Sequence, residues 1–153
     1  MAVVDFKALT LMLPASLPDM KRTNVQGANQ GAVGVKTASA EGDYQGDGGA
    51  RVHIGISDIS GVSGLIGLAG SLVQNTTSES ADGFERDQTI AGHSVHEKYD
   101  AKAHKGDLSV ILAKRFEVDV SGEGVDMGTL ERSLGQVDLA GLETMKAQGA
   151  HAQ

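Results

Sequence analysis

The chain contains no cysteine. That excludes a disulfide, a thiolate nucleophile and a cysteine-ligated zinc, and it fits the cytosol and the periplasm alike. Tryptophan is also missing and aromatics make up 3% of the 153 residues, so the core has to be built from Val, Ile, Leu and Ala. Stacking platforms for bases or sugars need aromatic faces, and this composition argues against them. Clustered basic residues are lacking too: the formal net charge is −7, which argues against a nucleic-acid surface. No basic segment leading into an apolar run of signal length opens the chain, so the expectation is that nothing exports or anchors it. Residues 54–73 are the most apolar stretch, but they include Asp58, four serines and five glycines and are too polar for a membrane span.

What is present centres on residues 51–73 (RVHIGISDISGVSGLIGLAGSLV). Val52, Ile54 and Ile56 alternate with Arg51, His53, Gly55 and Ser57, the period-2 pattern of a strand with one buried face. Asp58 and Ser60 then offer oxygens for a helix cap, and Val62, Leu65, Ile66, Leu68, Ala69, Leu72 and Val73 fall at helical spacing. Gly61, Gly64, Gly67 and Gly70 recur at every third position of that helix. Each interior glycine costs roughly 1 kcal/mol relative to alanine, so the row implies close approach to a neighbour. A phosphate loop fits less well: the spacing is GxxGxxG, and no Lys-Ser/Thr pair follows.

The remaining elements follow from the same patterns. Residues 5–13 form a short amphipathic helix closed by Pro14 and Pro18. Strands are expected over 20–26, 32–44, 84–90, 93–99, 108–112 and 115–120, with turns at 27–31, 45–49, 102–106 and 121–124 and an exposed polar loop over 74–83. Short glycine turns between neighbouring strands make the sheet antiparallel. Asp126 and Asp138 cap two C-terminal helices, and residues 149–153 read as a disordered tail. The fold class is therefore α+β: one domain over residues 1–148, a curved antiparallel sheet of six or seven strands with flanking helices.

His93, His96, Glu97 and Asp100 are the densest set of ligand-type side chains. On a strand His93 and Glu97 point one way and His96 the other, so no zinc site is expected, and Lys98 and Lys102 balance Glu97 and Asp100 on a solvated hairpin. The run DYQGDGG lacks the alternating acids of a calcium loop. Asp119, Glu117, Glu123 and Asp126 are acids that folding could pair, and Ser63 in GVSGL lacks the frame of a nucleophile elbow. No catalytic residue, metal or cofactor is assigned. The ligand or partner surface is placed on Asp58, Ser60, Ser63, His93, His96, Glu97 and Asp100.

The segments GVSGLIGLAGSL, HEKYD, LSVILAKRFEVDVSGEGVDM and DLAGLETMK together resemble an uncharacterised bacterial α+β domain family, over most of residues 13–146. The order of elements is also similar to that of Mog1/PsbP-like domains. That resemblance implies association and not chemistry. The expectation is a non-enzymatic module that binds a protein partner or itself. The competing expectation is a small-ligand-binding protein or hydrolase with a pocket by the 58–64 turn. A thermal-shift screen separates the two.

Overall fold

A computed structural model of the chain describes residues 6–17, 19–32, 35–58, 78–80, 83–90, 92–112 and 116–144. The glycine-rich helix expected from Gly61 and the tail at 149–153 lie outside them. Helix α1 (Phe6–Met12) leads into strands β1 (Ser16–Leu17), β2 (Met20–Ala32), β3 (Val35–Gly46) and β4 (Arg51–Asp58). After the gap come β5 (Ser78–Ser80), β6 (Gly83–Ile90), β7 (His93–Asp100), β8 (Lys105–Leu112) and β9 (Phe116–Glu123), then helices α2 (Met127–Gln136) and α3 (Leu139–Thr144).

The strands form one sheet in the order β1-β2-β3-β4-β9-β8-β7-β6-β5, with every neighbouring pair antiparallel. Two meanders thus meet at a β4–β9 seam. The antiparallel α+β class holds, but the count of six or seven strands does not. Among the described residues there are nine, or eight without the two-residue β1. One of the extra strands, β5, falls inside the segment expected to be an exposed loop.

Two expected turns are largely strand instead, and a third, expected over 102–106, is a turn that ends two residues early. β2 runs through residues 27–31, and a Cβ on Gly27 would lie 2.7 Å from Phe6 of α1, so that glycine serves helix–sheet contact. β9 continues past Ser121 to Glu123, and β8 already begins at Lys105, after the turn at 101–104. A bulge at Thr23, between the pairs Arg22↔Tyr44 and Asn24↔Asp43, shifts the alternation of β2, a change invisible in the sequence pattern.

One face of the sheet is dry. Ala38, Ala40 and Tyr44 of β3, Val52, Ile54 and Ile56 of β4, Phe116, Val118 and Val120 of β9, and Leu108, Val110 and Leu112 of β8 all point into it. Leu9, Leu130, Leu134 and Leu142 bring the three described helices onto this same face. Tyr44 is fully buried and its hydroxyl donates to the Pro14 carbonyl at 2.6 Å, giving the polar end of the ring a partner. α2 begins at Asp126, whose carboxylate accepts from the Thr129 N–H at 2.8 Å, a cap already legible in the sequence.

α2 sits in a notch. Gly106 and Gly122 are paired across β8 and β9, and a Cβ on either would come within 3.0 Å of a Leu130 methyl. The missing side chains let Leu130 seat against bare backbone. A Gly122→Val variant is expected to lose roughly 1–3 kcal/mol of unfolding free energy through overpacking, measured by urea denaturation. An unchanged midpoint would show that α2 does not depend on the notch.

Candidate functional site

The sheet separates the residues singled out in the sequence. His93 and Glu97 point to the helix face and His96 to the other, as strand alternation requires. His93 lies 3.7 Å from Glu143 of α3. Asp58 is buried at the end of β4, between Ala38 and Phe116, while Ser60 and Ser63 lie outside the described residues. Asp100 accepts from the backbone N–H groups of Lys102 and Ala103 at 3.0 and 3.2 Å, so it shapes a turn. The described members of the set do not share one face, since His93 and Glu97 lie on the helix side and His96 on the other.

Glu97 overturns the expectation of a solvated hairpin. It is 0% exposed, and Lys98, its supposed counterweight, lies on the opposite face. Its partner is Arg86 of β6, whose Nε lies 2.9 Å from Oε1 and whose guanidinium rests 4.4 Å from the centre of the Phe84 ring. Gln88 donates to Glu97 at 2.6 Å and also to Glu131 of α2. Burial works to raise the Glu97 pKa, but the donors from Glu131, Arg86 and Gln88 together hold it below the usual carboxylate range. Glu131 is pushed up to about 7, first by its hydrogen bond to Glu97, then by burial and by the charge beside it. Nothing in the spacing of residues 97 and 131 announces this pair.

No described helix covers the other face, which carries the charge. His53 and Asp43 meet at 2.7 Å, and that hydrogen bond is the main influence holding Asp43 below its ordinary range. His96 is clamped by Asp87 at 2.8 Å and Glu85 at 3.3 Å, and these partners raise its pKa, Asp87 most. Asp119 lies beside Glu117 on the same side of β9. Loss of surrounding water, then the charges of Glu117 and Asp107, push it up to about 7 even though its side chain stays solvent-accessible. The acids expected to be candidates for pairing thus split. Asp119 and Glu117 interact, Asp126 caps α2, and Glu123 meets Lys105 at 3.4 Å.

A cleft of about 610 Å³ opens on this face, walled by residues of β2, β3, β4, β7, β8 and β9. It lies at the Arg51 end of β4, the opposite end from Asp58; residues 59–64 of the turn where a pocket was expected lie outside the described residues. Arg51, Lys98 and Lys105 bring positive charge to it, and Asp43, Asp107 and Glu123 negative. Cross-strand register sets these signs in rows: Arg51, Glu123 and Lys105 in one, and His53, Ser121, Asp107 and Lys98 in the next. Arg51, Lys98 and Asp107 have no side-chain hydrogen bond or ion pair among the described residues. No group of three or more His, Asp and Glu among the described residues is placed to hold a metal ion, and no described helix is long and apolar enough to cross a membrane. Compared with known proteins, the chain matches no family model, no curated protein and no solved structure.

The raised pKa of Asp119 fixes the sign of a pH effect. The folded chain holds this proton more tightly than the unfolded chain. Its contribution is therefore complete below the ordinary carboxylate value and is lost as pH rises through about 7. Asp119→Asn is expected to flatten the fall in melting temperature between pH 5 and pH 8. A variant curve parallel to the wild type would refute the assignment.

Proposed function

We propose that this chain is a binding module whose site is the cleft on the face opposite the helices. Its ligand is a small polar molecule carrying both a negative and a positive group. The observation that carries this reading is the pair Lys98 and Asp107. They are direct cross-strand neighbours in the wall of the cleft, yet they form no ion pair with each other. Two opposite charges held side by side and left unpaired present a donor and an acceptor to a third molecule. Arg51 offers a second anion contact from β4. The volume of about 610 Å³ lies within the range of small-molecule sites and suits a zwitterion the size of an amino acid or dipeptide.

Calorimetric titration with a panel of dipeptides, against acetate and ethylamine as singly charged controls, tests this. Saturable binding of a dipeptide that falls at least tenfold in both Lys98→Met and Asp107→Asn is expected, about 1.4 kcal/mol for each variant. Absence of saturable heat from every probe, or binding indifferent to both substitutions, would overturn it.

Association with another protein chain, the first reading of the sequence, draws support from the edge of the sheet. β1 pairs only with Met20 and Lys21, so from Arg22 onward the edge of β2 that faces away from β3 has no strand beside it among the described residues. Such an edge can template an added strand. If it does, sedimentation should show an oligomer that Val25→Pro dissolves while the fold survives. A monomer at every concentration removes this reading.

A further inference from the structure

We infer that α2 is latched to the sheet by one proton shared between Glu97 and Glu131, and that losing this proton loosens the helix. This concerns the helix face and stands independently of the cleft. Glu97 is fully buried on β7, and Glu131 reaches it from the middle of α2 with its side chain 28% exposed, so protons from solvent have access to the pair through α2.

The donors around the two carboxyls are already committed. Gln88 uses its amide on both of them, and Arg86 lies close to Glu97 at 2.9 Å but stands 3.7 Å from Glu131. With a proton on Glu131 that carboxyl donates to Glu97, and one negative charge faces one guanidinium. Without it, two negative charges meet beside a single positive one, and Glu131 has only the Gln88 amide and the distant edge of Arg86. The least costly relief is movement of α2, because Glu97 is fixed within the sheet by its pairing to Arg86 and Leu108.

Other charges near α2 do not offset this. β8 and β9 present Gly106, Leu108, Val110, Leu112, Phe116, Val118, Val120 and Gly122 to the helix, none of them titratable. On β7, Tyr99 donates its hydroxyl to the Val125 carbonyl, and His93 is paired towards Glu143 of α3. Within and before α2, Arg132 donates to the Thr129 hydroxyl and Asp126 caps the first turn. Asp138 accepts from the Gly141 N–H in the next helix. The pair therefore answers to Arg86 alone among the cations, and the switch lies near neutral pH because Glu131 titrates at about 7. Loosening α2 would uncover Leu130, Leu134 and the Gly106–Gly122 notch, an apolar surface hidden when the proton is held.

The test combines a carboxyl-carbon NMR titration of Glu131 with hydrogen exchange of the α2 amides, corrected for intrinsic rates, from pH 5.5 to 8.5. A Glu131 midpoint near 7, and α2 protection falling at least tenfold across it while β4 protection holds, are expected. Glu131→Gln, which keeps a hydrogen-bond donor at every pH, should leave α2 protection level across the range. The inference is overturned if Glu131 titrates in the ordinary carboxylate range. It is equally overturned if α2 protection tracks β4 at every pH, or if the glutamine variant loses protection as the wild type does. The wild-type titration stands even should the variant fail to fold.

Discussion

The pairing of β4 with β9 is the constraint on which the rest of the structure depends. Each meander, β1 to β4 and β5 to β9, is built from sequential neighbours that short turns bring together. The seam is different: Ile54 meets Val120 and Ile56 meets Val118 across a long separation in sequence. Closing that loop costs chain entropy before any contact returns it, so the strands that meet must recognise one register strongly. Their composition supplies this. A slip of one residue would turn Val118 and Val120 outward and drive Glu117 and Asp119 into the apolar layer, so the alternation of both strands selects one alignment.

Once the seam is set, the two faces follow. β9 delivers the chain to Asp126 on the helix side, and α2 returns over Gly106 and Gly122. Carboxylates that alternate outward on β3, β8 and β9 then collect on the opposite face, where cross-strand register intersperses them with Arg51, Lys98 and Lys105. The cleft is thus a consequence of strand order as much as of residue type. Lys98 and Asp107 are neighbours because β7 lies beside β8, and Arg51 joins them only because β9 carries β4 to the same wall.

How far the sequence was legible depended on the range over which each feature is decided. Strict alternation located β4, and Asp126 located the start of α2, because strands and caps are local. The glycines misled where they serve packing: Gly27 and Gly122 read as turns, and each is a strand residue lying under a helix side chain. The bulge at Thr23 could not be read within the strand expected over 20–26, because a bulge exists only relative to its partner strand. The alternation of residues 93–99 correctly separated His96 from His93 and Glu97. It could not say which face was dry, since that depends on α2 arriving over β7 and bringing Glu131 with it. The cleft was illegible for the same reason, its walls coming from six strands of both meanders.

The formal charge of −7 counts every carboxyl as ionised, and the fold makes that count too negative near neutrality. Glu131 on the helix face and Asp119 on the other both titrate at about 7, for different reasons: one shares its proton with a buried partner, the other is crowded by Glu117 and Asp107. Each therefore keeps its proton to a higher pH in the folded chain than in the unfolded one, so near neutrality the fold is less negative than the formal count. His96, its pKa raised by Asp87 and Glu85, shifts the balance in the same direction. Folding therefore takes up protons at neutral pH. Composition gives the number of carboxylates, but only the sheet and α2 decide which of them remain charged.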